Sequence, residues 1–303
     1  MSLLRDFLTV SRAKIQIVSL ASALLGPSMA AHRLSDLLKT DVLLFIALFY
    51  ITVTFSCNIN CYYDRDVDRL YKKELYFAAE RLGNRLKKIM LFEVLLAIII
   101  SVFLIIGGRW LAGSLALLGL ILAYIYSAPP FRVKSRGIWS PFPVMIGVYV
   151  LPIIAGYSII SMDFRPIFWL FLTGYFFLNL GINLVNAAED IDVDKKMGIE
   201  TIAVRLGAKK TLKIALISQI IGIFTPIAMY MDIYAGKNPS YPLIIWFFLI
   251  ISAISALYVA LHIFFLFNSE NALKAAKKGG KLVPLWFIIT RYPLLFMVLF
   301  GLL

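Results

Sequence analysis

Two short stretches of the chain carry side chains able to do chemistry. Residues 60–68 read NCYYDRDVD, and residues 186–194 read NAAEDIDVD. Each follows directly on an apolar run and sets Asn, Asp and Asp at a spacing of four: Asn60, Asp64 and Asp68, then Asn186, Asp190 and Asp194. On a helix, positions i, i+4 and i+8 drift about 40° per step and climb about 6 Å, so each triplet forms one polar ridge. Carboxylate and amide oxygens are hard ligands that suit Mg²⁺, an ion that prefers to share its shell with substrate phosphates. Two facing ridges therefore suit a diphosphate bridged by metal. A single acidic cluster at a helix end reads equally well as solvated surface, but two with one spacing, each beginning in apolar sequence, argue against coincidence.

Other metal readings fit less well. Asp64-x-Asp66-x-Asp68 and Asp190-x-Asp192-x-Asp194 mimic the opening of a calcium loop, which wants Gly sixth and Glu twelfth. The chain has Arg69 and Lys195 at the sixth positions, Leu75 and Thr201 at the twelfth. Cys57 and Cys61 share a helix face and read as packing residues, and His32 and His262 have no partner pattern for zinc.

The elements that must position these ridges follow from composition. Of 303 residues, 61% are hydrophobic and 16% charged, with a mean hydropathy of +0.87. That excludes an ordinary soluble domain. With about 20 apolar residues needed to cross a hydrocarbon core of roughly 30 Å, the sequence predicts helices near 13–31, 41–60, 88–107, 110–127, 140–160, 166–186, 211–231, 241–268 and 283–303. The fold class is all-α, a polytopic membrane bundle of about nine transmembrane helices with two related halves, read as one domain over 1–303. Most of the 30 Lys and Arg fall in alternate connections: the N-terminal segment with Arg5, Arg12 and Lys14, then 61–88, 128–139, 187–213 and 269–283. That alternation predicts the N-terminus and the motif-bearing loops on the cytoplasmic side, and the C-terminus outside. It accounts for the net charge of +13 by anionic lipid, without nucleic acid. SLASALLGPSMA in the first span also resembles a signal peptide, with Ser28-Met29-Ala30 as the cleavage site.

The two Asp-rich motifs, the nine spans and the stretches YSAPPFRVKSRG (126–137) and DKKMGIETIAVRLG (194–207) together resemble the UbiA-like superfamily of intramembrane prenyltransferases. The resemblance covers essentially the whole chain. It implies an Mg²⁺-dependent enzyme, with two ions bridging the diphosphate, that moves an isoprenoid from an allylic prenyl diphosphate to an acceptor. By resemblance, Asn60, Asp64, Asp68, Asn186, Asp190 and Asp194 would hold the metal, the four Asp being the catalytic set. Many members continue the first motif into an Arg-rich segment ending Arg-Pro-Leu, whereas this chain runs RLYKKELYFAAERLG. The acceptor therefore stays open among a quinone-precursor ring, an ether-lipid glycerol phosphate, and a porphyrin or chlorin.

A departing diphosphate needs cations. Arg65, Arg69, Lys72, Lys73, Arg132, Lys134, Arg136, Lys195, Lys196 and Arg205 line the inner loops, although more than half of these fit the positive-inside pattern alone. Lys134 and Arg205 stand out because the resemblance falls on their stretches; Asn60, Asn186, Arg69, Lys72 and Tyr126 complete the expected diphosphate set. Tyr62, Tyr63, Tyr124, Tyr126 and Phe131 adjoin the motifs as candidates to shield an allylic cation, with ordinary packing as the alternative. Asp66, Asp192 and Glu189 fit either proton transfer or exposed surface. The apolar spans would hold the prenyl tail. Two other classes compete. An ion-coupled transporter also carries paired acidic sites but places them near the midplane, and a phospholipid headgroup transferase would carry one Gly-interleaved Asp motif.

Overall fold

The computed structural model describes residues 3–237 and 239–303, and the side chains of all of these but 14 and 15. Among them, nine long helices form the body of the molecule: α1 (Ala13–Ala30), α2 (Thr40–Tyr63), α3 (Asn84–Ile106), α4 (Trp110–Ser127), α5 (Phe142–Ile160), α6 (Pro166–Glu189), α7 (Ala208–Gly236), α8 (Pro242–Asn268) and α9 (Val283–Phe300). Eight of the nine are long and apolar enough to cross a membrane. The apolar part of α1 is Gln16–Ala30, about 22 Å at 1.5 Å per residue. The nine correspond one to one with the predicted spans. No sheet forms among the described residues, which hold one isolated bridge.

Helix starts follow local chemistry. α6, α8 and α9 each open with Pro in the first turn, where the missing N–H costs nothing. α7 breaks at Ile223 and Phe224 and resumes as Thr225–Gly236, with Pro226 in the new first turn. Within α5, Met145–Val150 is wound as a π-helix, a local widening often found at functional sites.

Neighbouring helices close into a ring: α1 packs on α2, α5 and α9, α2 on α3 and α4, α4 on α5, α6 on α7, α7 on α8, and α8 on α9. Two glycines permit backbone contact. A Cβ on Gly26 of α1 would strike the Ile153 carbonyl oxygen of α5, and one on Gly222 would lie 2.6 Å from the Leu178 nitrogen of α6. The main core gathers Leu25, Met29, Ile153, Phe168, Phe171, Tyr175, Met229 and Leu294 inside the ring. Leu91, Phe92, Ile99 and Phe103 of α3 and Leu243, Phe247, Ile250 and Ile254 of α8 face outward, as lipid-facing residues must. Some polar groups inside the bundle pair across helices, as where Asn58 Nδ2 of α2 donates to Glu93 Oε1 of α3 at 2.8 Å.

The connections sort to opposite ends. At one end Arg81 pairs with Asp6 (2.6 Å), Arg12 reaches Asn60, and Lys277 reaches Asp192. At the other, Arg109 pairs with Asp41 (2.8 Å) and Arg165 with Asp232 (2.8 Å), while Lys237 donates to the Ser28 carbonyl. This is the alternation read from the basic residues. Helix α1, whose sequence also resembled a signal peptide, is a full member of the ring.

Candidate active site

Both acidic motifs have the same local structure. α2 and α6 each run 24 residues, and each ends at the middle residue of its triplet. Asp64 (φ −101°, ψ 18°) and Asp190 (φ −86°, ψ 1°) sit in the sparsely populated bridge region, and short helices Arg65–Tyr71 and Ile191–Lys196 follow. The backbone spacing nonetheless survives the break. Asp64 N donates to Asn60 O at 2.9 Å, Asp68 N to Asp64 O at 2.8 Å and Asp194 N to Asp190 O at 2.9 Å. The first ridge is also linked through its side chains, with Asn60 Nδ2 donating to Asp64 Oδ2 at 2.9 Å.

The loop after α4 brings cations to the first ridge. Arg132 Nη2 donates to Asp64 Oδ1 at 3.1 Å, and the buried Lys134 ammonium donates to the same oxygen. The loop is held by docking on the stretch after the second motif: Gly137 N donates to Glu200 O at 2.5 Å, and Ser140 Oγ accepts from Ile202 N at 3.0 Å. Gly137 has φ +56°, so the turn favours glycine, and a Cβ there would lie 3.0 Å from Cδ and Nη1 of the flexible Arg205 side chain. Thr201 caps the helix Ile202–Leu206 and donates to Asp194 Oδ2 at 3.2 Å, fixing that carboxylate.

The two ridges therefore share one electrostatic neighbourhood. Lys134 feels both Asp64 and Asp194, and Lys72 feels Asp68, Asp194 and Glu189. Burial, with the neighbouring Asp190 charge next, pushes Asp194 up to about 6; burial also raises Asp68 and lowers Lys134, the last against the pull of Asp64. Crowded carboxylates raised in this way gain from a cation among them. Among the described residues, no three carboxylate, imidazole or thiol groups cluster tightly enough to cage an ion. A hard-oxygen donor set split into two ridges fits Mg²⁺ that completes its shell with phosphate oxygens.

The remaining predicted residues divide. Tyr126 of α4 is half-buried with Asp64, Asp190 and Asp194 around it, whereas Tyr124 and Phe131 are exposed and Tyr62 stacks under Arg65 and Lys87. Arg69, Lys72, Arg205 and Asn186 are exposed. Asp66 is exposed too, and Asp192 forms a surface pair with Lys277 at 2.5 Å. Sequence reasoning counted Arg12 only for topology, but its Nη2 donates to Asn60 Oδ1 at 3.0 Å from a left-handed backbone turn (φ +52°). Its place beside the first motif on the basic side was the available signal.

Below the ridges, two apolar cavities adjoin, sharing Thr52, Gly119 and Gly147. The upper one reaches Tyr126 and the lower one Phe45 and Ala155. Along α4 from Tyr126 to Leu115 this is about 16 Å of depth.

The model of the UbiA prenyltransferase family matches residues 19–288. The chain belongs to the UbiA prenyltransferase family. Among UbiA-family relatives, the lycopene elongase/hydratase of Haloferax volcanii is 29% identical over 205 residues, 67% of this chain but only 65% of that protein. The digeranylgeranylglyceryl phosphate synthase of Sulfolobus acidocaldarius is 26% identical and matches 94% of this chain and 95% of its own. The fold is that of a UbiA homolog from Archaeoglobus fulgidus bound to DMAPP and Mg²⁺, with a TM-score of 0.69 at 19% identity over 94% of this chain and 99% of that one.

Proposed function

We propose that this UbiA-family chain is an Mg²⁺-dependent intramembrane prenyltransferase, moving an isoprenoid from an allylic prenyl diphosphate to an aromatic or lipid acceptor. The observation that carries this reading is Lys134, bound to Asp64 of the first ridge and within the field of Asp194 of the second, above an apolar cleft that reaches Tyr126. A transporter would place such carboxylates near the midplane, whereas these sit at helix ends.

In this reading Asp64, Asp68, Asp190 and Asp194, with the amide oxygens of Asn60 and Asn186, would hold two Mg²⁺ ions. The metal supplies charge neutralisation for the diphosphate. Lys134 and Lys72, whose charges act on carboxylates of both ridges, and Arg132 and Arg205, which come from the two docked loops, would together bind the diphosphate oxygens and stabilise negative charge as it grows. The bond between the allylic carbon and oxygen breaks, its electron pair leaves with the diphosphate, and the acceptor's nucleophilic atom closes on the carbon and releases a proton. The tail lies in the cleft between α2, α4 and α5, where water is excluded and Tyr126 offers a π face near the cation. Positive charge gathered at the ridge end sets that end in the cytoplasm.

The test uses purified protein in lipid nanodiscs with labelled C5 to C20 allylic diphosphates, Mg²⁺ or chelator, and ring and glycerol-phosphate acceptors. Prenylated product is expected only with metal. Asp64→Ala and Asp190→Ala are expected to lower kcat/KM by about a hundredfold or more; turnover that survives either variant overturns the site.

A further inference from the structure

Helix α6 carries a polar stripe of which the diphosphate site uses only the top residue, Asn186. Asn179, Asn183 and Asn186 recur at spacings of four and three in the otherwise apolar PIFWLFLTGYFFLNLGINLVNAAE, on the face that leads to Asp190. Their exposure falls with depth: Asn186 is exposed, Asn183 half-buried and Asn179 fully buried. From Asp190 to Asn179 the stripe descends about 16 Å. At its foot lies Arg291 of α9, 1% exposed within the bundle.

Arg291 has no carboxylate among its recorded partners. Its Nε donates to Asn179 Oδ1 at 2.9 Å and Nη1 to the Val18 carbonyl of α1 at 3.3 Å, and the guanidinium lies 4.5 Å from the Tyr149 ring centre and 4.0 Å from that of Phe287. Its Nη2 is buried with no hydrogen-bond partner. Tyr149, from the π-wound turn of α5, joins the stripe by accepting from Asn183 Nδ2 at 3.4 Å. A guanidinium at membrane depth is costly, and an intramembrane charge left with a spare donor marks a binding function more often than a structural one. A purely structural cation would be expected to have a carboxylate beside it, as Arg165 has Asp232.

We infer that the stripe and Arg291 form an acceptor subsite, in which the unused Nη2 and the Tyr149 hydroxyl donate to an oxygen anion of the acceptor, with Asn183, tied to the Asn179 carbonyl, positioning that hydroxyl. Arg291 is then a specificity-determining residue that selects acceptors bearing a carboxylate, phosphate or phenolate over neutral hydrocarbon. The guanidinium fixes the anionic group below, and the narrowing stripe leaves the acceptor's reactive end facing up toward the ridges. This inference rests on the prenyl-transfer reading for its meaning but not for its test.

The test measures equilibrium binding of 4-hydroxybenzoate, its neutral methyl ester and a glycerol-phosphate lipid to the full chain in nanodiscs, without diphosphate. Wild type is expected to bind one of the two anionic probes at least about tenfold more tightly than the ester, the scale of a charge-assisted hydrogen bond. The preferred probe tells a carboxylate from a phosphate. Arg291→Met is expected to abolish the preference and Arg291→Lys to keep part of it, with the affinity for geranyl diphosphate and Mg²⁺ changed less than about twofold. Should Arg291→Met fail to fold, Asn183→Leu and Tyr149→Phe are expected to weaken anion binding in folded protein. No anionic preference in wild type, or one that survives Arg291→Met or both stripe variants, overturns the subsite. Labelled product formation in the same preparations judges the reaction separately: Arg291-dependent anion binding without prenyl transfer would sink the reaction and leave the subsite standing.

Discussion

Lys134 is buried against Asp64 and feels Asp194 of the other ridge. Burial lowers the pKa of its ammonium, and the Asp64 carboxylate opposes that shift. Lys134→Met is expected to raise the KM for prenyl diphosphate by about tenfold or more, with Arg132 still holding Asp64 in place. Lys134→Arg, which keeps the charge but not the point geometry, should fall between; steady-state kinetics with acceptor held saturating would read both. At this scale the sequence was most informative about residue types and least about partners. The Asn-Asp-Asp spacing named both ridges, but the engagement of Arg12 with Asn60 depends on a left-handed turn that no spacing encodes. The exposure of Asn186 and Arg205 likewise depends on how the inner loops dock.

Hydropathy made all nine long helices legible because an apolar run of spanning length has few other uses in a chain this short of charge. The π-wound turn of α5 and the docking of Gly137 on Glu200 were not legible, since backbone winding and loop pairing leave no compositional trace. The winding has a consequence for the tail cleft. Gly147 lies in the π turn and lines both apolar cavities, and a Cβ there would meet Leu122 at an ordinary 3.8 Å. Gly147→Ala should therefore be nearly silent. Gly147→Leu should fill the junction and shorten the longest prenyl diphosphate accepted by about one isoprene unit or more, because added bulk in a packed site is not absorbed. Competition between C5, C10, C15 and C20 diphosphates measures the shift.

Across the whole molecule, charge is divided between a basic end that holds the ridges and an opposite end with a few ion pairs, of which Arg165–Asp232 is the buried one. There, between α7 and α8, burial lowers Lys237 to about 8 while its ammonium donates to the Ser28 carbonyl. The folded state thus holds this proton less firmly than the unfolded chain. Lys237's contribution is full above its unfolded value near 10.4 and is lost as pH falls through 8, so it makes stability rise with pH across that interval. Thermal unfolding in nanodiscs is expected to show a smaller rise between pH 8 and 10 for Lys237→Met than for wild type. Equal rises in the two proteins would remove Lys237 as the cause.

The contact between α1 and α9 gives the bundle a temporal order as well as a shape. Arg291 and the carbonyl of Val18 belong to the ninth and first long helices, so the ring's seam is sewn by segments made at widely separated times in synthesis. Until α9 enters the bilayer, Asn179 lacks the guanidinium that engages its buried amide oxygen. The deep floor of the bundle is therefore a late event in biogenesis. The seam between α1 and α9 closes only after all nine long helices have been made.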